Sequence, residues 1–87
     1  MLKIQYTSNG EAAFVVSGRL QADNLGELAA LLDAAGPGRP LVLDLKDVVL
    51  ADVDAVRFLC ACERDGVVLR NCPPYIRTWM ARERTRS

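Results

Sequence analysis

The stretch Leu41–Leu59, LVLDLKDVVLADVDAVRFL, changes character part-way along its length. Leu41-Val42-Leu43-Asp44-Leu45 is nearly continuously apolar, the pattern of a central strand covered on both faces, which implies parallel neighbours reached through helical crossovers. From Asp52 to Asp65 the period becomes helical. Ala55, Leu59 and Cys62 share one row and Val56 and Cys60 the adjoining one, while Asp54, Arg57, Ala61 and Arg64 point the other way. Gly66 stops that helix. Between strand and helix stand two carboxylates, Asp52 and Asp54, and the functional reading turns on them.

Elements on either side follow from the same rules. Upstream, Leu2, Ile4 and Tyr6 alternate with Lys3, Gln5 and Thr7 as a half-buried strand, Ser8-Asn9-Gly10 is a turn signal, and Ala12 to Leu20 is its hairpin partner. Asn24 is placed to cap a helix, with Glu27 three residues on in a variant of the capping box, and Leu25, Leu28, Ala29 and Leu32 share that helix's apolar face. Gly36-Pro37-Gly38-Arg39-Pro40 ends it as a loop. Downstream, Val67-Val68-Leu69 reads as a fourth strand, and Cys72-Pro73 leads into a last helix with Ile76, Trp79, Met80 and Glu83 at helical spacing. The order is β-β-α-β-α-β-α, with right-handed crossovers and no internal repeat. Trp79 and Met80 are expected in the core.

Eighty-seven residues suffice for one domain, residues 1–87, with a single thin core. No apolar run is long enough to cross a bilayer, and MLKIQYTSNGEAAF has no signal-peptide pattern, so the expected compartment is the cytoplasm without membrane insertion. Eleven basic residues balance eleven acidic ones, and histidine is absent. The whole chain therefore has no positive field to draw it to nucleic acid. The carboxyl-terminal segment does carry Arg70, Arg77, Arg82, Arg84 and Arg86 against the single acid Glu83. These are not interleaved with aromatics as a base-stacking platform requires, so a solvated face is expected, with RNA binding as the weaker alternative.

Three cysteines without an export signal or a CxxC pair are expected to be free thiols. Cys72, just ahead of a helix start and near Arg70, is either an acidified thiol or a small buried apolar residue. Cys60 and Cys62 face different directions and do not form a chelate. No metal, no cofactor and no catalysis are expected: histidine, a paired-carboxylate cleft and a Gly-rich phosphate loop are all missing.

An L-D-L strand, a short loop and an acidic segment opening an amphipathic helix, in a chain of this length and order, resemble the STAS domain of the anti-sigma factor antagonist-like proteins. The family pattern LDLSxVxxxDSSGLxxL lies along Leu43 to Leu59 without a gap, and Gly18-Arg19-Leu20 followed by Asp23-Asn24 resembles the family's strand-to-helix turn. The resemblance implies an α/β, STAS-like (SpoIIAA-like) fold: a four-stranded mixed sheet flanked by about three helices. It also implies a non-catalytic interaction module in a bacterial partner-switching system. Its partner would be a protein of the kinase-type anti-sigma class, met through Asp52, Val53, Asp54, Ala55 and Arg57 with Arg19 and Asp23, by a monomer or weak homodimer.

Asp52 falls on the family's aspartate, Val53 on the first serine, Asp54 on the hydroxyl residue usually phosphorylated, and Ala55 on the glycine. Asp54 is thus the phosphoacceptor equivalent without a hydroxyl, and binding is expected to be phosphorylation-independent. Capping accounts for Asp52, and the helix dipole accounts in part for Asp54. Asp54 and Arg57, one turn apart, are the expected direct contacts. The alternative role is a stand-alone STAS subunit fastening a larger complex, such as a lipid-transport ABC assembly.

Overall fold

The computed structural model describes residues 2–8, 11–35 and 40–86. The elements run β1 (Leu2–Ser8), β2 (Ala12–Leu20), a 3₁₀ turn (Ala22–Asn24), α1 (Leu25–Ala34), β3 (Leu41–Ala51), α2 (Val53–Arg64), β4 (Val68–Arg70) and α3 (Pro74–Arg86). The four strands form one mixed sheet in the order β1-β2-β3-β4. β1 pairs antiparallel with β2, and β3 lies parallel to both β2 and β4. Element order and pairing are those expected. The turn at Asn9-Gly10 and the loop segment 36–39 lie outside the described residues.

One core holds the fold together. Phe14 and Val16 of β2 and Leu43 and Leu45 of β3 meet Leu28 and Leu32 of α1, Val56 and Leu59 of α2, and Ile76 and Met80 of α3. The register explains why these strand residues share a side, since Ile4 pairs with Val16, Phe14 with Leu43, and Leu43 with Leu69. All three helices therefore stack on the same face of the sheet. This corrects the expectation that β3 is covered on both sides. What misled was Val42, which points to the other face yet is only 1% exposed. It sits between paired Ala13 and Val68 in the middle of the sheet, and Arg70 at the end of β4 forms a 3.1 Å ion pair with Glu11 just ahead of β2.

α2 follows its sequence pattern: Ala55, Val56, Leu59, Cys60 and Cys62 are buried, while Asp54, Arg57, Ala61 and Arg64 are exposed. Gly66 ends it with a φ of 95°, in the left-handed region that costs glycine little. Asn71, at φ 55°, turns the chain between β4 and α3, and its side-chain amide donates to both carboxylate oxygens of Asp44 at 3.3 Å. Met80 is in the core as expected, and Trp79 is only half-buried against it.

Candidate functional site at the start of α2

Two turns meet at one end of the sheet, β2 into α1 and β3 into α2, and Asp52 fastens them together. One of its carboxylate oxygens accepts the Ala55 backbone N–H at 2.8 Å as the cap of α2, and the other accepts the Ala22 N–H at 3.0 Å from the neighbouring turn. Its own N–H donates to the Leu20 carbonyl at 3.3 Å. The Ala55 bond, and after it the Ala22 bond, hold the Asp52 carboxyl below its ordinary range, because both favour the charged form. The cap reading of Asp52 was incomplete: the same side chain also sets the distance between two surface loops.

Asn24 behaves differently from its expected role. It is the last residue of the 3₁₀ turn and stands at the N-cap position of α1 without making a side-chain bond to that helix; its side chain reaches backward instead. Its Oδ1 accepts the Gln21 N–H at 2.9 Å and its Nδ2 donates to the Arg19 carbonyl at 2.8 Å. A short polar side chain here competes successfully for local backbone groups, and Glu27 stays exposed in the first turn of α1.

β3 does not end at Leu45. It continues to Ala51, and the segment expected as a loop pairs with β2 through two irregularities. β3 advances from Asp44 to Asp47 while β2 advances from Val15 to Ser17, and from Val48 to Leu50 while β2 moves only from Gly18 to Arg19. Each inserts an extra residue into β3, as a bulge does, turning side chains that strict alternation would have buried. Asp44 supports the first of them by accepting the Lys46 N–H at 3.1 Å. The second leaves Val49 70% exposed, with Leu50 and Val53 exposed beside it.

At this end of the sheet the apolar Val49, Leu50 and Val53 are exposed, as are the charged Asp54, Asp23 and Arg19, with Arg19 paired to Leu50 across the strands. Val49 and Leu50 were missed in the sequence. The signal that could have found them is the run Val48-Val49-Leu50, too apolar for an ordinary loop.

Two expected contacts change. Ala55 is fully buried in the core, so its side chain offers a partner nothing; that contradicts its place among the contact residues. Arg57 is exposed, but its Nε donates to Glu83 Oε1 of α3 at 2.9 Å, and this bond, rather than Asp54, chiefly raises its pKa. Arg57 therefore ties α2 to α3 before it does anything else. Cys72 loses its acidic reading, since partial burial pushes the thiol up and outweighs the opposing charge, which comes from Arg77 rather than Arg70. Cys60 and Cys62 are buried, and burial pushes Cys62 up to about 11. No group of metal-ligating side chains occurs among the described residues, and no helix among them is long and apolar enough to cross a membrane.

With this geometry in hand, comparison with known proteins assigns the chain. No curated protein sequence matches it. A solved structure of an uncharacterized DUF3478-family protein with a SpoIIAA-like fold, from Shewanella loihica PV-4, is similar over 75% of this chain with a TM-score of 0.54 and 18% identity. That likeness is one of fold, and the chain spans 59% of that protein's length. The family model described as "Mlab, STAS domain" matches residues 4–83. The protein belongs to the STAS domain family.

Proposed function

We propose that the chain is a non-catalytic STAS-type module that binds a protein partner through the start of α2, in a bacterial regulatory system, without needing phosphorylation. The observation that carries this reading is the exposed apolar group Val49, Leu50 and Val53, held outward by a strand irregularity at the same end of the sheet as the charged Asp54, Asp23 and Arg19. Clustered apolar side chains facing water at a strand end gain from being covered, and burying each stabilises a complex by on the order of 1 kcal/mol or more.

Asp54 stands where the resemblance places a phosphorylatable hydroxyl. It offers one charge and two oxygens where a phosphoserine has about −1.5 to −2 and three, so its contribution to a kinase-type anti-sigma partner is a fixed, partial one. The second reading, a stand-alone subunit fastened to a larger assembly such as a lipid-transport ABC complex, is favoured by the same fixity. Val53-Asp54-Ala55 offers no hydroxyl to switch. RNA binding is disfavoured, because Arg70 is paired with Glu11, and Arg77 and Arg84 with Glu63.

The test is affinity purification of the tagged chain from its own cell, read by mass spectrometry, beside Leu50→Asp and Val49→Asp variants. Recovery of a kinase-type protein supports partner switching and recovery of an ATPase with its permease supports assembly, each lost in both variants. A partner retained equally by both variants removes this surface from the mechanism. Asp54→Ala and Asp54→Ser, bound with wild-type affinity, remove Asp54 alone.

A further inference from the structure

The opposite side of the molecule is also apolar where it meets water. A groove of about 460 Å³ runs between the sheet edge and α1, lined by Ile4, Tyr6, Phe14, Leu31, Ala34 and Ala35. Tyr6 is 51% exposed although its ring contacts Phe14, with centroids 5.1 Å apart, and Leu31 is 38% exposed. α1 is the helix next to β1, since its other flank, at Ala29 and Leu32, faces Phe58 and Ala61 of α2. Its ten residues, LGELAALLDA, include only two charges, and Gly26, Ala30, Leu31 and Ala34 are exposed. A helix apolar on nearly all sides is ordinarily a covered one.

β1 itself is the edge strand of the sheet and, among the described residues, a lightly defended one. Natural edge strands are blunted by charges, proline, bulges or brevity. β1 is seven residues long, LKIQYTS, with Lys3 its only charge, no proline, and an unbroken register with β2. We propose that this edge is covered by a second copy of the chain, β1 against β1 in antiparallel pairing, joining two sheets into one of eight strands with both α1 helices on the same side.

Two properties select a second copy over another occupant. The first is self-complementarity. A two-fold axis through Gln5 pairs all seven residues, sets Ile4 against the other copy's Tyr6 in the apolar layer, and sets Lys3 against Thr7, so that no like charges meet. The second is area. A seven-residue strand is about 23 Å long at ~3.3 Å per residue, and one sheet with one helix layer gives it a depth of about 20 Å. The footprint is then on the order of 450 Å² per copy, about 900 Å² in total, which is in the range of weak, transient interfaces and below the ~1,200 Å² of stable ones, so the dimer is weak and concentration-dependent. This surface is distinct from the start of α2, and the inference does not rest on the proposed function.

The test is sedimentation velocity of the full chain across a concentration series, with hydrogen exchange at both ends of it. The expected result is a mass that rises from monomer toward dimer, with β1 amides that exchange more slowly at high concentration. Tyr6→Lys and Leu31→Lys, on separate elements and both at exposed positions, are expected to weaken association at least about tenfold while Tyr75→Lys, at an exposed position on α3, leaves it unchanged. Circular dichroism confirms that each variant folds. A wild-type chain that stays monomeric to about millimolar concentration overturns the proposal. So does a dimer unaffected by both substitutions, or β1 protection that arises only when a different protein is bound.

Discussion

α1 and α2 start side by side at one end of the sheet, yet they are finished in opposite ways. α2 is capped by Asp52, buries five residues on one side and turns Asp54, Arg57 and Arg64 to water. α1 has no side-chain cap, buries Leu28 and Leu32, and leaves Leu31 and three small residues exposed. α2 has its cap, its buried row and its solvated face in place, so its amino-terminal end can be presented to a partner without loosening the core. α1 draws on tertiary contact alone, and a cover on its outer flank adds what its own chemistry lacks.

The widest gap between the two helices should appear on truncating one leucine in each. Leu59 is fully buried where β3, α2 and α3 meet, so Leu59→Ala should cost about 2–5 kcal/mol through lost transfer energy and the cavity left behind. Leu31→Ala, on the exposed flank of α1, should stay within about 0.5 kcal/mol in dilute protein. Urea unfolding of the two variants measures both. A large cost for Leu31→Ala under dilute conditions would mean that the α1 flank is already part of the core, and the contrast would collapse.

Next in size is the cap. Asp52→Ala removes the Ala55 bond and the link to Ala22 together, at a cost of about 1–2 kcal/mol. Asn24→Ala, which loses bonds to Gln21 and Arg19 within one turn, should cost about 1 kcal/mol. The Asp52 contribution has a pH signature. Its carboxyl titrates lower in the folded chain than its ordinary value of 3.8, so the unfolded chain takes up the proton first as pH falls. Its stabilisation is complete above about 4 and disappears as pH drops through the lowered folded value. The stability difference between wild type and Asp52→Asn should therefore be constant from neutral pH to about 5 and shrink below about 4.

The thiol on the inner side of α2 acts at the other end of the scale. Cys62 is raised from 9.0 to about 11 by burial, so between those values the unfolded chain ionises while the folded one keeps its proton. Stability should fall across that window, and Cys62→Ala should lose that alkaline slope. Thiol labelling at pH 8 should reach Cys62 only on unfolding.

What the sequence disclosed of all this follows a physical division. Where one periodicity ran unbroken, as in α2, burial could be assigned residue by residue. Where a polar group had two uses for its hydrogen bonds, only the local use was legible: Asp52 was readable as a cap, while its bond to Ala22 depends on a neighbour thirty residues earlier. The irregularities in β3 were invisible for a related reason. An extra residue shifts the face of everything after it, and nothing in Val48-Val49-Leu50 says which of the three will be turned out. Val42 misled in the opposite sense, buried in the middle of the sheet between Ala13 and Val68, partners that lie far off in the chain.

The smallest effect separates the two carboxylates that began the problem. Asp54 lies in the first turn of α2 and is exposed, and among the described residues its carboxylate accepts no bond comparable to those of Asp52. Its benefit to the helix is that of a negative charge near the positive end of the dipole, about 0.3–1 kcal/mol at low ionic strength, and such an interaction is screened by salt. Asp54→Asn should then destabilise the chain slightly in dilute buffer and hardly at all near 1 M salt, where the screening length is about 3 Å. Asp52→Ala should keep most of its cost in the same buffer, because directed bonds to two backbone N–H groups are not screened as a distant charge is. If both variants respond to salt alike, the two acids are doing the same job and Asp54 has no claim to a separate role. If only Asp54 loses its effect, its stability contribution is minor and replaceable, which leaves partner binding as the measurement that can explain why a carboxylate stands there.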